Sequence, residues 1–318
     1  MSHIKRIMVS FFFSVGFVLA LLWVLNGGLS ARAASISAPA DEITVCLAGS
    51  PTCDYATIQA AVDAANPGDV VKVAQGTYTD VHVREGITQV IYLSKTVTIQ
   101  GGYATTNWST PYPITQPTTL DAQGQGRVLV ITGTITSTIA GLRITGGDAT
   151  GLGGYAAGDA GGGIYMMGAA PVLNGNMIYS NTIGDGYGAG LYLVNSHAVL
   201  NNNVIHNNSG STYGSLGAVA LDQSPAKLNG NLIYSNTVTH GGGLLVFSSD
   251  ATFNNNVITG NTAVGNGGGL QLARSNPTLN GDIIRGNTAG WGGGLSMENE
   301  SDATLNNVVI ADNQAIIE

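Results

Sequence analysis

The side chains in this sequence that could do chemistry are few and scattered. Between residues 148 and 312, carboxylates stand at Asp148, Asp159, Asp185, Asp222, Asp250, Asp282, Glu298, Glu300, Asp302 and Asp312. Acid/base chemistry needs two such groups held together, and a hard cation such as calcium needs several oxygens converging. No two of these acids are brought together by sequence proximity in a recognisable motif. Register in a repeat is the remaining way to assemble them, and it assembles one group. Asp250, Asn276 and Asp302 recur at equal intervals, and Arg274 and Glu300 stand beside them at equivalent places. A second set, Tyr179, His206, Tyr234, Thr259, Arg285 and Ala311, also recurs at one repeat position and concentrates the ring systems.

The repeat that must position these residues is explicit from Leu173 onward. Leu173, Leu200, Leu228, Phe253, Leu279 and Leu305 follow one another at 27, 28, 25, 26 and 26 residues. One residue after each start stands an Asn: Asn174, Asn201, Asn229, Asn254, Asn280 and Asn306. Five after stands Ile178, Ile205, Ile233, Ile258, Ile284 and Ile310, and eight after stands Asn181, Asn208, Asn236, Asn261, Asn287 and Asn313. Helical repeats of this length need long periodic runs and few glycines, whereas these apolar runs are short and punctuated by Asn and Gly. One repeat per coil of stacked strands places equivalent residues about 4.8 Å apart. The Ile column then becomes a buried ridge, and the Asn columns become ladders in which each amide donates to one rung and accepts from another. Clusters such as Gly241-Gly242-Gly243-Leu244 and Gly267-Gly268-Gly269-Leu270 mark corners that need positive φ or close backbone approach, with the following Leu turned inward. No Lys-Ser or Lys-Thr follows them, so they are not phosphate loops. Positions four and five after each start are both apolar, so one of these columns is expected to face outward as a contact stripe.

Composition limits the function classes. With 46 glycines, 44% hydrophobic and 9% charged residues, the chain is too apolar for disorder. Its formal net charge of -8 excludes a nucleic-acid partner, which requires a concentrated basic surface. Lys5 and Arg6, the apolar run Ile7 to Leu25, and Ala31-Arg32-Ala33 form an export signal over 1–33, with mature chain from Ala34 and a secreted or cell-surface address. The competing reading is an uncleaved anchor, the one membrane contact expected, since the run approaches the roughly 20 residues that span a bilayer. Residues 34–54 read as a leader containing Cys46 and Cys53, which an oxidising compartment would join.

Ahead of the repeats, Tyr55-Ala56-Thr57-Ile58-Gln59-Ala60-Ala61-Val62-Asp63-Ala64-Ala65 reads as an amphipathic helix with Ile58, Ala61, Val62 and Ala65 on one face, ended by Asn66-Pro67-Gly68. Such a helix would cap the open first coil. With Val70-Val71-Lys72-Val73 and Gly76-Thr77-Tyr78 it resembles the N-terminal cap and first coil of pectin-lyase-like right-handed parallel β-helix proteins, the family of pectate lyases, pectin methylesterases and polygalacturonases. The later coils also resemble the repeats of polymorphic outer-membrane proteins and adhesin-like solenoids, as in Phe253-Asn254-Asn255-Asn256. The resemblance implies an all-β solenoid over 55–318: a cap and irregular coils over 55–172, regular coils over 173–318, and a C-terminal end without a cap.

The resemblance supplies no catalytic signature: the adjacent Asp-Asp of polygalacturonases and the Gly-x-x-Asp-x-x-Phe of methylesterases have no counterpart. The candidate catalytic residues are Asp250 and Asp302, which two rungs would separate by roughly 10 Å, near the upper end for an inverting glycosidase. With Asn276 they are also the candidate ligands of calcium, the one cofactor this arrangement would take. The preferred reading of that corner is a solvated polar edge carrying an Arg274 to Glu300 ion pair. Tyr179, His206, Tyr234 and Arg285 are the candidate binding residues for a sugar or a cell-surface partner. Regular Asn and Gly columns occupy positions where an enzyme would need irregular acids. The expectation is therefore an exported binding or structural solenoid for polysaccharide, with a polysaccharide lyase or glycoside hydrolase as the alternative.

Overall fold

A computed structural model describes residues 40–47, 53–155 and 158–317, and the expected export signal lies outside them. From Ala40 the chain is one compact unit, a parallel β-solenoid of about 10 turns. Three long sheets run its length. The first face stacks ten strands, from Glu42–Val45 through Val70–Ala74 and Val172–Asn174 to Thr304–Asn306. The second stacks nine, from Gly76–Tyr78 through Met177–Tyr179 and Leu232–Tyr234 to Val309–Ala311. The third contains Ile87–Leu93, Ile164–Met167, Leu191–Val194, Val219–Asp222, Leu244–Phe247, Leu270–Ala273 and Leu295–Glu298. Two-residue strands such as Thr182–Ile183 and Thr237–Val238 form a narrow fourth sheet.

The solenoid begins earlier than its sequence suggests. Glu42–Val45, within the stretch read as leader, pairs in parallel register with Val70 to Val73 and forms the first rung. Cys46 and Cys53 are joined beside it. The cap helix runs Ile58–Ala64, with the Thr57 hydroxyl accepting from the Ala60 N–H at 3.3 Å. Its Ile58, Ala61 and Val62, with Ala65 just after it, enter the main core.

The expected register holds through the regular coils. Leu173, Leu200, Leu228, Phe253 and Leu279 are fully buried, as are Ile178, Ile205, Ile233, Ile258 and Ile284. Between them the chain turns by one device used repeatedly. Two residues after each start, Gly175, Asn202, Gly230, Asn255, Gly281 and Asn307 all have φ between 52 and 66°. Seven after, Ser180, Asn207, Ser235, Gly260, Gly286 and Asp312 lie between 52 and 62°. Asn, Asp and Gly are the residues that tolerate this left-handed conformation best. Each left-handed residue throws the next side chain into the solenoid, and in the regular coils that side chain is almost always Asn.

Those inward amides form the ladders. Each Nδ2 from Asn181 to Asn287 donates to the next rung's Oδ1 at 2.9 to 3.0 Å. The same nitrogen donates to the carbonyl of the preceding coil's Ile, as from Asn208 to Ile178 and from Asn236 to Ile205. Each Oδ1 also receives the preceding rung's main-chain N–H. A parallel inner ladder runs Asn176, Asn203, Asn231, Asn256 and Asp282. At the third corner Ser196, Ser224, Ser249, Ser275 and Ser301 follow left-handed residues and cap the preceding coil's N–H. The glycine clusters fit the expected close approach: a Cβ on Gly242 would stand 2.3 Å from the Gly268 carbonyl oxygen.

Two stability predictions follow from the ladders. Asn236→Ala removes the acceptor of the Asn208 N–H and amide and the donor to Ile205, leaving several buried groups unpaired. Denaturant unfolding should show a loss of about 3 kcal/mol, and a loss below about 1 kcal/mol would mean that water replaces the rung. Asp282 stands where other coils have Asn, and burial pushes its carboxyl upward against hydrogen bonds from Asn256 and Asn280. A raised folded pKa means this group's stabilising contribution is present below the unfolded value and lost as pH rises through the folded one. Asp282→Asn should therefore gain stability over the parent at neutral pH, and the gain should vanish near about pH 3. An equal difference at both pH values would contradict the assignment.

Candidate functional site

The second face shows which apolar column points outward. Ile at position five is buried, while Met177, Val204, Leu232 and Val257 are half-buried and Ile283 is 38% exposed. Strand alternation puts position six on the outer side as well. There the candidate rings meet: Tyr179 and His206 stack with centroids 5.3 Å apart, and His206 and Tyr234 with centroids 4.8 Å apart, within 9° of parallel. The column continues through Thr259 and Arg285 on successive rungs. Arg285 is not part of the stack; its Nε pairs with Asp312 at 2.7 Å, and both groups are largely exposed. An ion pair so exposed stabilises little.

The stack covers both faces of His206, but one face of each tyrosine lies beyond it. On the far side of Tyr234 the next rung carries the small Thr259, and the rung beyond carries Arg285. The column therefore steps down by one rung between an aromatic ring and a guanidinium. His206 Nδ1 is buried and, among the described residues, has no hydrogen-bond partner. A proton there would be both desolvated and unpaired.

The corner holding Asp250, Asn276 and Asp302 also forms in register, and its hydrogen bonds reveal its role. The Asp250 Oδ1 accepts the Asn276 N–H at 2.8 Å, and the Asn276 Oδ1 accepts the Asp302 N–H at 2.9 Å. All three side chains are exposed, and those of Asp250 and Asn276 act as an outer ladder. Among the described residues no group of three or more His, Cys, Asp and Glu side chains is placed to hold a metal ion.

The expected Arg274 to Glu300 pair does not form. Ala273 is in register with Glu298, so Arg274 shares its rung with Asn299. The later coil has one extra residue before Ser301, and both Asn299 and Glu300 take left-handed conformations to accommodate it. The Arg274 guanidinium lies instead over the Phe247 ring, 5.7 Å from its centroid. Arg274, Asn276, Asn299 and Glu300 line an open polar cleft of about 500 Å³.

The described residues of the Gly-rich stretch 146–163 are tied down by hydrogen bonds. Asp159 accepts from the Gly151 and Gly153 N–H groups, and the buried Arg127 donates to the carbonyls of Ala160 and Gly153. Together with Gly186–Tyr187 and Ser215–Leu216, this segment forms a small sheet. Tyr187 and Leu216 pack on the outward apolar residues Tyr165, Tyr192 and Leu245 of the third face. Sequence register did not reveal this arrangement, because its residues come from loops of unequal length.

The chain matches the right handed beta helix region family over residues 120–258 and 217–318. It belongs to that family. The parallel coils described above are accordingly those of a right-handed β-helix. The solved structure of pectate lyase Pel9A is similar to this β-helix with a TM-score of 0.53 at 14% identity, covering 87% of this chain and 79% of that one. At that identity the likeness establishes shared fold and carries no chemistry. A search of curated proteins finds no match.

Burial pulls His206 below the ordinary histidine value. A depressed folded pKa means the stack's contribution is present above the unfolded value and lost as pH falls through the folded one. Titration of the His206 ring followed by NMR should give a midpoint below 6.5. A midpoint at or above that value would mean the ring is solvated or paired with an acid.

Proposed function

We propose that this β-helix is an extracytoplasmic binding module that holds a polysaccharide chain along its second face. The observation that carries the reading is the outward Tyr179, His206 and Tyr234 stack ending at the Thr259 step. An aromatic face bordered by a small residue accepts the apolar face of a sugar ring, and the flanking apolar column excludes water from it. Arg285, one rung beyond, supplies donors for hydroxyl or carboxylate oxygens once it leaves Asp312. The repeat suits a polymer, since adjoining coils present related groups at a constant pitch. The export signal read in residues 1–33 supports this reading, since export would bring the surface to where such polymers occur.

Support for binding over cleavage comes from Asp250, one of the two candidate acids. Its Oδ1 accepts the Asn276 main-chain N–H, just as the Asn276 Oδ1 accepts that of Asp302. A carboxylate in that role is positioned for the corner rather than for a substrate.

The test is affinity electrophoresis of mature protein through acidic and neutral polysaccharides, with and without calcium, while reducing ends and unsaturated products are followed. Retention without cleavage is expected, and Tyr234→Ala should weaken it by about tenfold, the loss of one stacking contact. Retention unchanged by Tyr234→Ala would remove the second face from the reading. Cleavage that Asp250→Asn or Asp302→Asn abolishes would replace it with a catalytic corner.

A further inference from the structure

The third face carries a separate groove on the outer side of its strands. Its volume is about 270 Å³, and its walls include Tyr187 and Phe247, with His240, Asn266, Gln271 and Glu298 supplying the polar groups. These residues come from consecutive coils and from the loops that cover them, so the groove is built rather than incidental to one turn.

Its polar groups are organised around Asn266. The Asn266 N–H donates to His240 Nδ1 at 3.1 Å, which leaves the proton of a neutral imidazole on Nε2. The Asn266 side-chain amide donates to Glu298 Oε1, which also receives Gln271 Nε2 at 3.1 Å and the Ser296 hydroxyl at 3.4 Å. Glu298 is thus fixed through one oxygen. Gln271 is only 6% exposed, and its Oε1 has no hydrogen-bond partner among the described residues. A buried amide oxygen without a donor costs about 1 to 3 kcal/mol, which a ligand's donor would recover. Gly265 belongs to the same construction, because a Cβ there would lie 2.2 Å from the His240 ring.

We infer that this groove binds one uncharged, hydroxyl-rich ring, a single neutral sugar residue, and that it rejects uronates. The volume admits one six-membered ring and little more. Tyr187 and Phe247 offer apolar surface to the ring, Gln271 Oε1 and the Glu298 carboxylate accept its hydroxyl protons, and His240 Nε2 donates to a hydroxyl oxygen. Among the described residues no Lys or Arg lines the groove, and the Arg274 guanidinium beside it is engaged over the Phe247 ring, 5.7 Å from its centroid. A sugar carboxylate would meet Glu298 with no cation in the groove's own lining to offset the repulsion, which opposes binding. The site is independent of the second-face reading, since none of its residues lies on that face.

Saturation-transfer NMR with methyl glycosides of a neutral hexose, a hexosamine and a hexuronate tests the inference on the whole mature chain. Saturation is expected for the neutral hexose, with the other two weaker by about tenfold or more. Phe247→Ala and Gln271→Leu should each abolish most of the signal, with unchanged circular dichroism, while Tyr234→Ala on the second face should leave it intact. Glu298→Gln keeps the shape of the groove and should bring the uronate closer to the neutral sugar. Equal saturation by the uronate, preference for the protonated hexosamine, or a signal that survives both Phe247→Ala and Gln271→Leu would overturn the proposal. So would a neutral-hexose signal that Tyr234→Ala removes, because that would place the sugar on the second face.

Discussion

A coil of this solenoid must leave one sheet and join the next at each corner, and every corner turns main-chain N–H groups toward a dry interior. Strand pairing satisfies the faces but not the bends. The recurring solution is a left-handed residue followed by an inward Asn or Ser whose oxygen accepts the N–H of the preceding rung. Asn at two corners also donates twice, to the next rung and to an Ile or Leu carbonyl of the preceding coil. Each rung therefore depends on the one beside it. The Ile and Leu columns contribute the larger apolar burial, but they stack in register only because the two Asn corners keep the same length from coil to coil.

That dependence explains which positions the fold itself occupies and which it leaves open. Inward corner positions belong to the ladders, inward strand positions belong to the core, and the outer polar edge of Asp250, Asn276 and Asp302 forms another ladder. The Asn column of the first face, from Asn201 through Asn229, Asn254 and Asn280 to Asn306, bonds rung to rung as well, which leaves the outward side of the second and third faces. Groups there are held by neighbours above and below at nearly fixed spacing, which favours rigid recognition by stacking and hydrogen bonding. Shared fold with a pectate lyase does not change this assignment, because the fold sets the spacing of outward residues and not their identity.

Much of the architecture was legible because the repeat leaves columns in the sequence. The Ile ridge, the Asn181 to Asn313 ladder, the cap helix and the outward ring column all follow from residue type at fixed offset. The inner Asn176 ladder was equally present in the spacing, three residues after each start, but its Asp282 and Val308 members obscure the column. The Arg274 to Glu300 pairing failed for a different reason. Counting back from the next repeat start assumes every corner has the same length, and the corner at Asn299 and Glu300 is one residue longer. The third-face groove was beyond the reach of register altogether. Tyr187, His240 and Asn266 lie in connections of different length, and only three-dimensional packing brings them to Gln271 and Glu298.

The two outward faces differ in how they are built, and this difference bears on what each can recognise. The second face is bounded on both sides by Asn corners of invariant length, so its outward columns run from coil to coil without interruption. A surface of that kind matches an extended partner and tolerates a shift by one rung. The third face is followed by the serine corner and preceded by glycine-rich connections that vary in length, and some of these fold back over its outer side. Variation there breaks the repeat, closes a groove of limited volume, and places a buried unpaired acceptor beside a clamped carboxylate. On the proposed reading such a groove would select by shape and charge at a single point. Regular corners would then provide length, and irregular connections selectivity, within one continuous hydrogen-bonded stack.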